Sequence, residues 1–565
     1  MRKRYWILLL LLLLIGAGVF FVPDQLARLV REKSLEAVEN ACGPHSVIRI
    51  AKVDIDLSEG HVTWTGIDIH QAIDSGDTTW ARERQLLIRG HVDSIEVRGL
   101  SIWQLLTSRA LVMRSLSVNG PDLEFLTAAK DTTASAGTTP RKAPIQRIRM
   151  DSLRVDSGAI RLRDVRKDKP EIRTRLDLAL TGIECRLPRA DQALALAFSG
   201  VAVRLHRITA ALPPLYDATI DELVIAHPDS LVRVRGIMLT PRAGPLGYQK
   251  VLRYETDLFH LKMDSLSLRG LDLQALVTQR SLRTTRLCLS GTTLDVHRDK
   301  GMPDEPFQVK HMPAGLLRRM PMSLLVDSVL VQRMNVRYFE RDTLTPDYGE
   351  VAFTDIHAYV TGLNTVDSAA NPEMHLHADA RVYDKAPVRL DLRTRVQDRT
   401  DRFRLHAHIG ALPFQVFNRM TDDLVLVRAT AGRVHGIDYT LNATDDRAQV
   451  RVEIEYEGLD VEVRKRDGTR QENKLLSFVV NQLKRNKNLR SDPNFRAGEA
   501  EIERWKDRQI FNYMWRGLKQ GVIVTVTPKM LGDVQRITKE SVDERVKKER
   551  RKAKAADARA KASEP

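Results

Sequence analysis

The chain has 565 residues, 43% hydrophobic and 29% charged, which excludes a disordered chain and a multi-span membrane protein. Lys plus Arg number 89 against 73 Asp plus Glu, a net +16 spread along the chain and not gathered in one patch, so it suits anionic surfaces such as lipid headgroups better than nucleic acid. Cys42, Cys185 and Cys288 are far apart and odd in number, which excludes a disulfide scaffold and a CxxC zinc site.

The first element follows Met1-Arg-Lys-Arg4. An uncharged run from Tyr5 to Val22 holds Trp6, Leu8, Leu10, Leu12, Leu14, Val19 and Phe20. Its length is at the low end of what spans a hydrocarbon core of ~30 Å. The basic flank predicts a cytoplasmic N-terminus and an exported body. Gly16-Ala17-Gly18 lies inside the run and Phe20-Phe21 follows it, a poor cleavage pattern, so residues 1–22 are read as a retained anchor. Within 23–44, Leu26, Leu29, Val30 and Val38 recur at helical spacing over 24–42, until Gly43-Pro44.

The body repeats itself. Asp93-Ser-Ile-Glu-Val-Arg-Gly-Leu-Ser-Ile102 matches Asp264-Ser-Leu-Ser-Leu-Arg-Gly-Leu-Asp-Leu273, and the match runs on to Leu116-Ser-Val-Asn-Gly120 and Leu287-Cys-Leu-Ser-Gly291. A partial third copy holds Asp422-Asp-Leu-Val-Leu426 and Ile454-Glu-Tyr-Glu-Gly-Leu-Asp-Val461. Units are expected at 45–210, 211–410 and 411–528, followed by a charged helical or disordered tail at 529–565. Within the tail, 536–565 carries 11 basic and 6 acidic residues.

The units read as β. Val388, Leu390, Leu392 and Val396 alternate with charged residues, as do Phe403, Leu405, Ala407 and Ile409, and Val450, Val452, Ile454 and Tyr456. After Gly458 the phase flips to Leu459 and Val461, as a turn or bulge would cause. Gly-Leu and Gly-Ile pairs punctuate other strands in the same way. Helices are few: short ones at 103–109 and 274–280, longer ones at 473–488 and 499–521. Residues 127–144 read as a loop.

A sheet with one apolar face must cover it. Two sheets packed together would do so, but helices are too few here to cap so many strands. The anchor and the tandem units favour a curved antiparallel sheet whose apolar face holds hydrocarbon. Its candidate lipid-facing positions are Ile95, Val97, Leu266, Leu268, Val388, Leu390, Leu392, Phe403, Leu405, Val452 and Ile454. Near the C-terminus Trp505, Phe511, Met514, Trp515 and Leu518 form an aromatic stripe, read as the cap on the end of the sheet.

The strand Asp93–Ile102, a brief helix, and the strand Leu116-Ser-Val-Asn-Gly-Pro-Asp-Leu-Glu-Phe125, behind a single N-terminal span, resemble the AsmA-like family of bacterial envelope proteins. The resemblance implies a β-groove fold, an anchor in the inner membrane, a periplasmic body, and lipid binding or transfer that supports outer-membrane integrity. Phospholipid and outer-membrane or envelope proteins are the implied partners. The alternative is a non-enzymatic structural or assembly factor for outer-membrane proteins.

No nucleophile, phosphate-binding or metalloprotease motif occurs, and neither enzyme activity nor a cofactor is expected. The pairs His375-x-His377 and His406-x-His408 invite a metal reading. A meander would set them ~10 Å apart on the charged face with arginines between, so no metal is expected. The Asp-Ser pairs at Asp93, Asp151, Asp264 and Asp327 recur at one place in the repeat, where short polar side chains serve nearby backbone.

Overall fold

Alternating apolar and charged residues form strands here: strands take up 66% of the described residues and helices 12%. The computed structural model describes residues 46–56, 59–71, 87–101, 104, 110–127, 147–164, 171–186, 195–227, 230–245, 247–341, 347–366, 372–424, 426–465, 471–474, 477 and 485–526. The anchor with Trp6 to Phe20, the helix expected over 24–42 and the tail 529–565 lie outside the described residues, as do nearly all of 103–109, 127–144 and 475–484. No helix among the described residues is long and apolar enough to cross a membrane.

The chain divides into two compact units. The first runs up to Arg253 and adds Leu258–Asp295 and Met322–Met334. Its strands are β1 (Ser46–Asp56), β2 (His61–Gln71), β3 (Leu87–Arg98), β4 (Ala110–Asn119), β5 (Asp122–Thr127), β6 (Arg147–Asp164), β7 (Glu171–Arg186), β8 (Ala195–Ala197), β9 (Gly200–Leu212), β10 (Tyr216–His227), β11 (Leu231–Pro241) and β12 (Leu258–Arg269). Two long strands, β13 (Ser281–Asp299) and β14 (Ser323–Arg341), begin in it.

Among the described residues of this unit pairing follows chain order, save that β8 and β9 both pair β7, and is antiparallel with one exception. β4 and β5 are two halves of one line, both antiparallel to β3 and both parallel to β6. The sheet is therefore mixed, which corrects the expectation of a purely antiparallel one. Parallel neighbours need a connection of a dozen or more residues, and the Thr-rich stretch 128–146 has that length.

Gly120 and Pro121 make the break between the halves. Gly120 has φ +55°, and a Cβ there would lie 1.9 Å from an Asp93 carboxylate oxygen. Gly291, its repeat counterpart, has φ +64° and meets Asp264 at 2.0 Å in the same way. Only glycine fits such a left-handed position with a neighbouring side chain over it. This is what the repeated Asp-Ser and Asn/Ser-Gly elements encode.

The same level is marked on other strands. The β10–β11 ladder runs through Ile220–Ile237 and Glu222–Arg235 but skips Asp221 and Gly236. The β9–β10 and β11–β12 ladders skip Arg207/Asp221 and Gly236/Asp264. Each strand carries an extra residue there, so register is kept on both sides. Gly458 also has φ +64° inside a continuous strand, but there the β20–β21 ladder shifts register, so the phase flip expected there is a bulge and not a turn.

Between β12 and β13, Gly270-Leu271 leads into α1 (Leu273–Gln279), close to the expected 274–280. Asp272 caps it, accepting from the Ala275 N–H at 2.8 Å.

The second unit comprises Tyr254–Asp257, Val296–Pro321 and residues from Asn335 on. It contains the ends of β13 and β14, then β15 (Gly349–Asn364), β16 (Glu373–Val382), β17 (Ala386–Arg395), β18 (Phe403–Ile409), β19 (Leu412–Pro413), β20 (Val427–Ala443), β21 (Arg447–Val463), β22 (Lys487–Asn488) and β23 (Gly498–Glu503). Its helices are α2 (Pro313–Arg318), α3 (Asn418–Leu424) and α4 (Ile510–Val526). Strands β15 to β18 form a meander, β20 follows β18, and β21 holds β23. The expected helix at 499–521 is corrected: Glu499-Ala-Glu-Ile-Glu503 alternates and pairs with the open side of β21, and the helix begins at Ile510.

α4 covers the apolar face of β20, β21 and β23, as a cap was expected to do. Its buried side is Tyr513, Gly517, Gly521 and Thr525, with Met514 and Leu518 beside it. Phe511 (74% exposed) and Trp515 (43%) face away from the sheet. The small residues let the helix backbone reach the strands: a Cβ on Gly521 would lie 2.3 Å from a Val452 methyl, and one on Gly517 2.6 Å from the Tyr439 hydroxyl. That hydroxyl donates to the Met514 carbonyl at 2.9 Å.

Gly521→Leu is expected to lower stability by about 2–3 kcal/mol or more, by pushing α4 off Val452. Gly244→Ala, where the added Cβ meets nothing within 4 Å, is the near-neutral control. Denaturant midpoints of the two variants check this.

Candidate functional site

Register places the apolar residues of the first unit in rows that cross ten strands, β8 and the β5 half-strand aside. One row is Val53, Trp64, Ile95, Val118 and Val155, continuing through Leu178, Val203, Ile225, Val232 and Leu268. A second runs from Ile55 and Val62 through Val97, Leu116, Leu153 and Leu180 to Val201. A third joins Leu176, Leu205, Leu223, Val234 and Leu266. Past the shared kink the face resumes with Ile208, Ile220, Ile237 and Met263. Nine strand spacings make this face about 43 Å wide.

Exposure varies along it, Val53 at the β1 edge being half-buried. Trp64 is 2% exposed and Ile95 4%, within a core that includes Val97, Met113 and Met150. From Val118 to Leu268 the members of the first row are half-buried, apart from the buried Val232. The opposite face is charged: Glu222 sits between Arg235, at 2.8 Å, and Arg204, at 3.8 Å.

The positions proposed from the sequence thus fall into two groups. Leu266 and Leu268 lie half-buried on the open stretch of the first unit. Ile95 and Val97 lie in its closed end. In the second unit Val388, Phe403, Leu405, Val452 and Ile454 are buried in a core closed by the protein's own atoms, with Leu390 and Leu392 half-buried at its margin. Leu205, Leu223, Ile225 and Ile237 belong to the open stretch and were not singled out. The flip of alternation at Asp221 and Gly236 was the signal that would have found them.

The histidine pairs lie on the outer face of the meander. His377 stands opposite Asp391, and Asp391 opposite His406. An aspartate therefore intervenes on this rung, and arginines only on the rungs beside it. Asp391 contacts both His377, at 3.0 Å, and His375, at 3.3 Å. No group of three or more His, Cys, Asp or Glu that could hold a metal occurs among the described residues. The buried Cys185 thiol is pushed up to about 12 by burial, which makes it a poor nucleophile.

Compared with known proteins, the chain matches no family model and no curated protein sequence.

The Asp391 hydrogen bond holds the His377 imidazole above its ordinary range, and the same bond holds Asp391 below the usual carboxylate range. The pair stabilises the fold most between these limits: its contribution fades as pH rises through the raised His377 value and is lost as pH falls through the depressed Asp391 value. Titration of histidine-labelled protein by NMR is expected to place His377 above about 6.5, with Asp391→Asn moving it back toward that value.

Proposed function

We propose that this protein binds lipid hydrocarbon along the apolar face of its first unit and supports passage of lipid across a bacterial envelope. Residues 1–22 hold the chain in the inner membrane and the body stands in the periplasm. The resemblance to AsmA-like proteins supports the same reading.

One observation carries the proposal. The apolar rows continue without a charged interruption from β7 to β12, yet Leu178, Leu205, Leu223, Ile225 and Leu266 are only half-buried. A Leu or Ile side chain stabilises a fold by about 1.5–3 kcal/mol when fully withdrawn from water, so partial burial leaves part of that unrealised. Acyl chains laid over these residues supply the missing cover, each buried methylene contributing about 0.8 kcal/mol. The track needs no directional polar groups, which suits a long and featureless ligand. Paired ions on the outer face keep that side in water.

Photocrosslinking of the full chain in a Gram-negative host tests this. A photoreactive residue at Leu223 or Leu266 is expected to yield phospholipid adducts, and one at the outward Ser267 is not. Leu223→Asp with Leu266→Asp is expected to abolish adducts from Ile225 while leaving the circular dichroism unchanged. Equal labelling from both faces, or none from either, overturns the reading.

A further inference from the structure

On the polar side of the second unit the ends of β16, β17, β18, β20 and β21 frame a cavity of about 700 Å³. Five arginines line it, Arg393, Arg395, Arg402, Arg404 and Arg447, against two carboxylates, Glu373 and Asp398. Asp398 is already engaged: one of its oxygens accepts from the Thr400 N–H at 2.8 Å and the Thr400 hydroxyl at 2.7 Å.

The register adds a sharper fact. Arg393 stands directly opposite Arg404, and the same register carried one residue past Thr394–Phe403 sets Arg395 opposite Arg402. Like charges directly opposite each other destabilise a sheet. Elsewhere on this face charges are matched across the rungs, as Asp379 with Arg389 at 3.4 Å and His408 with Asp438 at 2.8 Å, or a like-charge rung is bridged, as Asp438 and Glu453 are by Arg490 at 2.9 and 3.0 Å. Among the described residues Arg393 and Arg395 have no side-chain hydrogen bond or ion pair, and Arg404 donates only to the neutral Asn442, at 3.1 Å. Arg395 has Glu373 opposite it on β16, so the unmatched charge lies on the β17–β18 side of these two rungs, a cost in the free protein that a bound anion removes.

We infer that this cavity binds a ligand carrying phosphate groups. The two rungs lie about 7 Å apart, two residues along a strand, which gives two stations, each an arginine pair able to grip one phosphate by its paired N–H groups. The volume is in the range of small-molecule sites and exceeds what a single inorganic phosphate needs. A soluble polyphosphate and a phosphorylated lipid headgroup share this chemistry. The inference concerns the polar side of the second unit and does not rest on the hydrocarbon reading of the first.

The test uses the full chain in neutral detergent, titrated calorimetrically with pyrophosphate, with soluble dihexanoyl phosphatidic acid, and with dihexanoyl phosphatidylcholine. Binding of either anionic probe, at least tenfold weaker in Arg393→Gln/Arg404→Gln and unchanged in Arg389→Gln, supports the site. Pyrophosphate as the tighter probe points to a soluble ligand, and phosphatidic acid as the tighter one to a headgroup. A second readout is thermal: without ligand, Arg395→Gln is expected to melt no lower than the unaltered protein, and to lose most of the pyrophosphate-induced rise in melting temperature. The inference is overturned if neither anionic probe binds, if the double variant binds within twofold of the unaltered protein, or if Arg389→Gln weakens binding equally.

Discussion

One extra residue per strand, placed at the same level on neighbouring strands, is the constraint on which the first unit depends. Side chains alternate between faces with a period of two, so an extra residue on a single strand would turn half of its apolar set to the wrong side. Here β9, β10, β11 and β12 all change phase together, at Arg207, Asp221, Gly236 and Asp264. Register survives, and the apolar face continues across the kink. The glycines supply the left-handed backbone that the kink needs, and aspartates from the preceding strand fill the space a Cβ would take.

Once a sheet has one apolar face, the question is what covers it. The second unit answers with its own chain, because Gly517 and Gly521 let α4 approach Tyr439 and Val452 closely enough to close the core. At β1 to β6 in the first unit, large side chains such as Trp64, Met113 and Met150 bury one another. Between β7 and β12 Leu176, Leu178, Leu205, Leu223, Ile225, Leu266 and Leu268 remain half-buried, while Val201, Val232, Val234 and Met263 among them are buried. The difference lies less in hydrophobicity than in what lies against the face, a helix with small residues in the second unit and the cluster around Trp64, Met113 and Met150 in the first.

The charged faces show a parallel contrast. Most outward charges are matched across the rungs, as around Glu222 and Asp391, which keeps the face soluble at little net energy. The arginines at the ends of β17 and β18 depart from that matching, and they do so beside a cavity. The like-charge rung of Asp438 and Glu453 on the same surface is bridged by Arg490, whereas the Arg393–Arg404 rung has no such bridge, and a local rule broken without compensation is where function is most readily sought.

Much of the fold was legible in the amino-acid order. Strict alternation placed β17, β18 and β21, the change of phase at Gly458 announced a turn or a bulge, and a short helix was legible at 274–280, close to α1. These features are local, set by backbone geometry and by side chains a few residues apart. The parallel partnership of β6 with β4 and β5, the strand at Gly498–Glu503, the outward turn of Phe511 and Trp515, and the division between closed and open stretches of the apolar face were not legible. A period-two pattern states which side of a strand is apolar and is silent about what lies against that side. Cover is decided by residues far apart in the chain, such as Gly521 on Val452, and only their meeting in the folded protein separates a core from a surface left for a ligand.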